Sequence, residues 1–334
     1  MSEFECTVEE EVATVSMGRP HVYVLGAGAS RASCPNGDRF GRPLPLMADF
    51  AASLGLDQLL EGWGLEPSRN IEETFSDLFA QGETEKLRQL EERIEEYFRT
   101  LRLPAHPTIY DHLLLSLRGK DIVATFNWDP LLVEAYRRNV GHVPSMPLLA
   151  FLHGNVSAGF CADDDVMGAA GLNCSQCNRP FEPMKLLYPI REKDYSSDPA
   201  IARQWRVLDA GFRDAFMITV FGYGAPKTDV AAVDAMKQAW GTPGDRSMEQ
   251  ASFITIQDED EVLETWSPFI HTHHVEVHSD FYASWTANHP RRTGEAYWNQ
   301  YLEAKFVAEN PIPRDLDFPA LWDWFEQFRA PELK

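Results

Sequence analysis

The sequence is poor in basic residues compared with acidic ones. Lys and Arg together number 30 against 51 Asp and Glu, which gives a formal net charge of −21. A surface this acidic repels phosphate backbones, so we expect no direct binding to nucleic acid. A local basic pocket for a small anion is still compatible with this charge.

Long apolar runs are also absent, since none approaches the roughly 20 residues of a membrane span. No apolar signal segment opens the chain, whose first residues are acidic. Cysteine is scarce, and the odd count of five argues against a disulfide framework. We therefore expect a cytoplasmic protein with reduced thiols that does not bind a membrane.

The apolar content is ample for a folded core: hydrophobic residues make up 44% of the chain, with 20 Phe and 9 Trp. A length of 334 residues exceeds what one core usually holds. We predict a flexible acidic tail over residues 1–19 and an α/β domain over 20–285. We place a small inserted module at 155–195, and a helical segment over 286–334.

Short β-branched and aromatic runs alternate with helical patterns. Apolar residues spaced three and four apart from Leu87 to Leu101 predict an amphipathic helix, and Asn70 is a candidate N-cap for the helix that follows it. Alternation of this kind predicts a Rossmann-like, doubly wound, mainly parallel sheet. The predicted strands cover residues 21–25, 121–125, 148–152, 217–221, 253–256 and 274–277.

The first predicted strand runs directly into a glycine-rich turn with the sequence GAGAS. Gly26 and Gly28 would let the backbone turn tightly, and would let a pyrophosphate approach the amide N–H groups. Ala27 and Ser30 complete the candidate phosphate-binding residues. The alternative interpretation is a tight strand–helix turn that binds no ligand.

Polar residues follow the second predicted strand in the sequence TFNWD. Thr125, Asn127 and Asp129 stand at its carboxyl end, where ligands bind in open α/β sheets. A buried Asn and Asp need partners, and a ligand would supply them. The alternative is a polar cap in which Asp129 is the N-cap of the helix that begins near Pro130.

Two further loops follow predicted strands in the same way. His153 comes directly after the third strand, and its side chain is the one best suited to moving a proton at neutral pH. Gly222 and Tyr223 open a second glycine-rich loop, GYGAPKTD, after the fourth strand. Taken alone, His153 is also typical of a hydrogen-bonded structural histidine.

Three of the five cysteines fall in the predicted module. Cys174 and Cys177 have the spacing of one half of a zinc ribbon. The other half would lie near Cys161, but position 164 is Asp. These residues predict a degenerate zinc ribbon held by three cysteines and one Asp or His, with a metal-free loop as the alternative.

In this order, GAGAS, T-x-N-x-D, L-H-G and G-Y-x-x-P-x-T-D resemble the sirtuin superfamily. The stretches NWDPLLVEA and CNRPFEPMKLLYPIREKDY, and Trp205, resemble its bacterial, defence-associated branch over roughly residues 20 to 260. The resemblance implies that Asn127 positions a water and the nicotinamide ribose of NAD. It implies that Asp129 holds the nicotinamide side, His153 is the base and the GAGAS glycines contact the pyrophosphate.

Two departures separate this chain from protein deacetylases. Phe126 stands where deacetylases carry a Gln that helps to hold the ribose. Their Pro-Asp-Phe-Arg segment is only loosely echoed by Pro35, Asp38 and Arg39. Both departures weaken the deacetylase interpretation and leave cleavage of the glycosidic bond open.

The resemblance therefore implies an NAD hydrolase that releases nicotinamide and ADP-ribose, as an antiphage effector that depletes NAD. The alternatives are an NAD-dependent protein deacylase or ADP-ribosyltransferase, and a non-catalytic sensor of NAD or ADP-ribose. We find no second sensor domain in the sequence. We therefore expect control by homo-oligomerisation or by a partner protein such as a HerA-type ATPase.

Overall fold

A central parallel sheet organises the computed structural model, which describes residues 4–188, 194–225, 229–246 and 248–334. Parts of two motifs, 189–193 and 226–228, lie outside the described residues. In chain order, the strands are β1 (Glu5–Cys6), β2 (His21–Leu25), β3 (Ile122–Thr125), β4 (Leu148–Phe151), β5 (Ala158–Cys161), β6 (Val166–Ala169), β7 (Glu182–Pro183), β8 (Met217–Phe221), β9 (Gln250–Ile254), β10 (Val275–His278) and β11 (Phe306–Val307).

The central sheet has the strand order β4-β3-β2-β8-β9-β10, and every neighbouring pair is parallel. Taken in sequence, its six strands have the Rossmann order 3-2-1-4-5-6, with β2 at the point where the winding reverses. The predicted Rossmann-like, doubly wound sheet is confirmed. All six predicted strands are present, with ends that differ from the prediction by three residues or fewer.

Helices connect these strands and cover both faces of the sheet. Among the described residues, no helix is long and apolar enough to cross a membrane. The helices are α1 (Val8–Ala13), α2 (Ala27–Ser33), α3 (Phe50–Leu54), α4 (Asp57–Gly62), α5 (Ile71–Ala80), α6 (Thr84–Thr100), α7 (Ile109–Ser116), α8 (Leu131–Asn139), α9 (Pro199–Asp214), α10 (Val230–Trp240), α11 (Glu259–Trp266), α12 (Trp285–Asn288), α13 (Thr293–Tyr301), α14 (Phe318–Phe325) and α15 (Arg329–Glu332).

The alternating side chains of the strands divide the core into two layers. Tyr23 and Leu25 of β2 pack in one layer with α7 and α8, whereas Val22 and Val24 pack in the other with α9 and α10. The predicted amphipathic helix is α6, and Asn70 caps α5 through its side chain, as expected. Because helices cover both faces of the sheet, a ligand can reach it only at the ends of the strands.

The segment between β4 and α9 forms a small antiparallel sheet of its own, with the order β6-β5-β7. β5 pairs with both neighbours, and a short turn at Asp164 and Asp165 joins it to β6. Cys174 and Cys177 lie in the loop between β6 and β7. This arrangement brings the loop back beside the turn.

The N-terminal residues do not form the loose acidic tail that we expected. β1 pairs with β11 near the other end of the chain, and a capping box at Thr7 begins α1. The Glu11 carboxylate lies 2.8 Å from His289 Nδ1, and both side chains are buried. Composition alone predicted a solvated tail, but Cys6 and Val12 on these elements are buried and anchor them.

Buried ion pairs hold the C-terminal residues. Arg291 and Arg292 have fully buried side chains, and both bond the Glu332 carboxylate of α15. The remaining guanidinium N–H groups reach the backbone oxygens of Leu115, Leu117 and Val12, among others. The chain end is therefore tied to α7 and α1.

Candidate active site

A cavity of about 1080 Å³ opens at the carboxyl edge of the central sheet. Each of the six parallel strands contributes to its wall a residue from the loop that follows the strand. In strand order from β4 to β10, these are His153, Asn127, Gly26, Gly222, Thr255 and Ser279. The cavity spans the switch point at β2, where ligands bind in doubly wound folds.

Most of the residues predicted for the site meet in this cavity. The structure places in its wall Gly26, Ala27, Gly28, Ser30, Asn127, Asp129, His153, Gly222 and Tyr223. Thr125 is the exception, since it is 1% exposed and does not line the cavity. Its hydroxyl accepts a hydrogen bond from the Asn127 N–H at 3.0 Å, so it supports the turn from below.

The two glycine-rich loops pack backbone against backbone. A Cβ on Gly26 would lie 2.5 Å from Gly222 O, and one on Gly222 would lie 2.3 Å from Ala29 N. The N–H groups of Gly26 and Gly28 donate to Phe221 O and Gly222 O, both at 3.0 Å. These two amides are therefore not free for a pyrophosphate, contrary to our expectation. The glycines are explained by loop packing, and a ligand can approach only their outer surface.

A buried hydrogen-bond network supports Asn127. Its Nδ2 donates to Gly26 O at 2.8 Å and to Ser30 Oγ at 2.9 Å, and lies 3.3 Å from the Tyr110 hydroxyl. Among the described residues, Oδ1 has no hydrogen-bond partner. The carboxamide therefore offers a hydrogen-bond acceptor, and no donor, to the cavity.

Asp129 lies behind Asn127 and is only 4% exposed. Its Oδ2 accepts from Ser30 Oγ at 2.6 Å, and its Oδ1 accepts from the Leu131 N–H at 3.1 Å at the start of α8. Burial raises the pKa of Asp129 to about 6, although both hydrogen bonds act to lower it. The N-cap residue of α8 is Pro130 and not Asp129, but the Asp129 side chain accepts from the first N–H of the helix and also supports the network of Asn127.

A sharp turn and a layer of aromatic rings hold His153. Gly154 has a φ of +81°, and a Cβ there would lie 2.2 Å from Lys185 O. The imidazole Nε2 lies 3.2 Å from the Tyr195 hydroxyl, and the ring meets Phe126 edge-on at 4.7 Å. The left-handed turn at Gly154, which only glycine adopts easily, therefore helps to place His153 at the cavity.

Two polar residues of the site carried no local signal in the sequence. Tyr110 on α7 is fully buried, and its hydroxyl lies 2.7 Å from Ser30 Oγ. Glu72 near the start of α5 is 5% exposed and adds a carboxylate to the cavity wall. Tyr110 lies on a helix that is buried almost throughout, and Glu72 lies on an amphipathic helix, so the sequence predicts only packing for both.

The cysteine cluster assembles as a four-ligand group. Cys161, Cys174 and Cys177 are joined by Asp164, and one ligand atom from each lies within 4.8 Å of all the others. Cys161 Sγ is 3.5 Å from Cys177 Sγ, while Asp164 Oδ2 is 3.1 Å from Cys174 Sγ. Two thiolates on one tetrahedral zinc lie about 3.8 Å apart, given Zn–S bonds of roughly 2.3 Å. The cluster has the size and ligand types of a structural zinc site, in which Asp164 would supply the fourth ligand that the sequence left open.

Comparisons with known proteins give structural neighbours only. No family model and no curated protein sequence matches the chain. Among solved structures, one from work on the mechanism and regulation of Sir2 enzymes is 14% identical, with a TM-score of 0.41 over 96% of both chains. A Sir2 homologue in complex with NAD is 16% identical, with a TM-score of 0.40 over 89% of this chain and 93% of that one.

A complex of Sir2 with a p53 peptide and NAD⁺ is 16% identical to this chain. Its TM-score is 0.37, over 86% of this chain and 93% of that one. These identities lie below 25% and the TM-scores below 0.5.

Proposed function

We propose that this protein is a sirtuin-like NAD hydrolase that cleaves the nicotinamide–ribose bond. The observation that carries the proposal is the convergence of Asn127, His153 and both glycine-rich loops on one cavity at the switch point of a Rossmann-ordered sheet. The choice of NAD as the substrate comes from the order of the sequence motifs, which resembles that of sirtuins.

In the proposed reaction, water replaces nicotinamide at the anomeric carbon of the ribose. The C–N bond breaks, and its electron pair neutralises the pyridinium nitrogen. A C–O bond forms to the water, which loses a proton. The products are nicotinamide, ADP-ribose and H⁺.

Four side chains divide this work. Asn127 Oδ1 accepts a hydrogen bond from the attacking water and so aims the water's lone pair. His153 takes the proton as general base. The carboxylates of Asp129 and Glu72 make the wall negative, which favours the positive charge that develops on the ribose.

The surroundings of His153 favour water over an acyl-lysine as the acceptor. Phe126 stacks on Tyr223 with ring centres 4.2 Å apart, and Tyr195 packs on Trp205 at 4.4 Å. Tyr195 also bonds the imidazole directly. We propose that these rings leave room beside His153 for a water molecule but not for a polypeptide chain.

The cysteine cluster would hold a structural zinc ion at a distance from this chemistry. Cys161, Cys174 and Cys177 with Asp164 would complete its tetrahedral shell, which leaves no open position for a substrate. The ion would link β5 to the loop before β7. No step of the reaction depends on it.

The biological part of the proposal comes from the sequence resemblance. We propose an antiphage effector in the cytoplasm that depletes NAD and is controlled by self-assembly or by a HerA-type ATPase. Cells that carry the gene should lose NAD during infection, and cells with Asn127→Ala should not. Equal NAD levels in the two strains would contradict this role.

Purified protein incubated with NAD tests the activity. Release of nicotinamide without any peptide supports the hydrolase. Release only when an acyl-peptide or acceptor protein is present would show a deacylase or transferase instead. Binding of NAD without release would show a sensor.

A further inference from the structure

We infer that Tyr110 is a positioning residue that holds the carboxamide of Asn127 with its oxygen toward the cavity. Tyr110 lies on α7, is fully buried and does not line the cavity. It therefore acts through Ser30 and Asn127 and not by touching a ligand. The inference rests on the proposed function, because it assigns the oxygen of Asn127 to the attacking water.

The hydrogen count at Ser30 sets the direction of the network. Its hydroxyl has a single hydrogen, which it donates to Asp129 Oδ2 at 2.6 Å. The contact of 2.7 Å between Ser30 and Tyr110 must then run from the phenol to Ser30 Oγ. Burial and the nearby Asp129 carboxylate raise the pKa of Tyr110 well above its ordinary value, so the phenol keeps its proton.

The same count decides the orientation of Asn127. Gly26 O takes one hydrogen of Nδ2, and Ser30 Oγ shares the other with the Tyr110 oxygen. If the carboxamide flipped, its oxygen would face the oxygens of Gly26 and Ser30, with no hydrogen between them. The phenol proton of Tyr110 cannot then turn to Asn127 without leaving Ser30 Oγ.

Hydrogen bonds are donated from Tyr110 to Ser30 and from Ser30 to Asp129 only while Asp129 is ionised. A protonated Asp129 could donate to Ser30, and Ser30 would then donate to Tyr110. Ser30 Oγ could still accept from Asn127 Nδ2, but the phenol proton of Tyr110 would be free to turn to a flipped Asn127 oxygen, so the carboxamide would no longer be held in one orientation. The titratable neighbours of Asp129 are Glu134 on α8, Tyr110 on α7 and Cys34 after α2.

Tyr110→Phe tests the inference, because it removes one hydroxyl and keeps the ring. The matched control is Tyr23→Phe, which removes the hydroxyl of another fully buried tyrosine, bonded to Thr286 Oγ1 at 2.6 Å. We expect Tyr110→Phe to lower kcat for nicotinamide release about tenfold, the worth of roughly one hydrogen bond. KM for NAD should stay within about twofold of the wild-type value in both variants.

A second readout separates this inference from the proposed function. Hydrogen exchange of the Asn127 side-chain amide can be followed by NMR, with the resonance assigned by its loss in Asn127→Ala. We expect exchange to speed up about tenfold in Tyr110→Phe and to be unchanged in Tyr23→Phe.

The two readouts have distinct meanings. If the wild-type protein releases no nicotinamide, the hydrolase proposal fails, and the exchange rate alone judges Tyr110. Unchanged exchange in Tyr110→Phe would overturn the inference, as would an equal loss of kcat in the two variants. Faster exchange confined to Tyr110→Phe supports it.

Discussion

Two buried polar networks in this molecule differ in one respect. At the C-terminus, Arg291 and Arg292 surround the Glu332 carboxylate, and the spare N–H groups of both side chains reach backbone oxygens. At the cavity, both Nδ2 hydrogens of Asn127 are also used, but its Oδ1 has no partner among the described residues. The first network is complete within the protein, whereas the second leaves one acceptor for a ligand.

The difference separates stability from function. Removing one partner of a buried ion pair leaves an uncompensated charge, which is costly to the fold. Arg291 also has a φ of +63°, a strained backbone that the surrounding hydrogen bonds must offset. Substitutions in the C-terminal network should therefore reduce stability, and those at the cavity should reduce turnover.

Replacing His153 with Ala should have the largest effect on turnover. Loss of a general base costs roughly a hundredfold to ten-thousandfold in rate. The measurement is the rate of nicotinamide release per folded molecule, together with the melting temperature. His112→Ala is the control, since His112 is buried but does not line the cavity. A destabilised His153→Ala protein that kept its full rate would remove His153 from the mechanism.

Asn127→Ala should lower kcat about a hundredfold to a thousandfold, as the loss of one positioned polar group does in other enzymes. Affinity for NAD should change little, and calorimetric titration of the slow variant measures it. The matched control is Asn139→Ala, which removes a fully buried carboxamide bonded to Asp111 and Trp322. The control should lose stability and keep its rate of turnover. Normal turnover in Asn127→Ala would show that the active site lies elsewhere.

Glu332→Gln should destabilise the protein by about 3–5 kcal/mol, because two buried guanidinium groups lose their counter-charge. Burial alone would raise the pKa of Glu332, but Arg291 and Arg292 lower it, so the group is ionised in the native protein. Urea unfolding measures the change. Glu326→Gln is the control, since its pair with Arg329 is exposed and should be worth under about 1 kcal/mol. Similar losses in both variants would contradict the comparison.

Asp129→Asn should change how stability depends on pH. The native pKa of about 6 lies above the ordinary value of 3.8, so the folded state holds a proton that the unfolded state releases. Stability from this group therefore falls as pH rises from about 4 to 6, by up to about 3 kcal/mol. The difference between the unfolding free energies of Asp129→Asn and the wild type should show this slope. A difference that is flat with pH would place the native pKa near its ordinary value.

Asp164→Ala should have the smallest effect, confined to the small antiparallel sheet. We expect it to lower zinc content and to reduce the melting temperature by a few degrees, because structural zinc contributes folding energy. Asp163→Ala is the control, since Asp163 is exposed and pairs only with Arg179 among the described residues. Folded wild-type protein without zinc would remove the four ligands from consideration. Nicotinamide release per folded molecule should be unchanged in both variants.

Much of the fold could be predicted because short buried strands carry their own pattern. The strands of the central sheet appeared as short stretches rich in apolar, β-branched or aromatic residues, and their alternation with helices implied a parallel sheet. The site followed from the same logic, since loops after parallel strands meet at one edge. Asn127, His153 and the two glycine-rich loops are therefore found together.

The errors share one physical origin, which is contact between distant parts of the chain. Residues 4–16 looked like a solvated tail, yet β11 and His289 hold them in place. The amides of Gly26 and Gly28 looked free for a phosphate, but Phe221 O at the end of β8 and Gly222 O after it accept their hydrogen bonds.

The sequence by itself determined the strands, the strand-end loops and the cysteine spacing, because each depends on residues that are neighbours in the chain. It also determined the acidic surface, which follows from composition. Tertiary structure alone decided that Thr125 supports the turn and Asp164 joins the cysteines. It also decided that Tyr110 reaches Ser30 across 80 residues of chain. Hydrogen bonds act over about 3 Å, so only the folded chain determines which distant donor meets which acceptor.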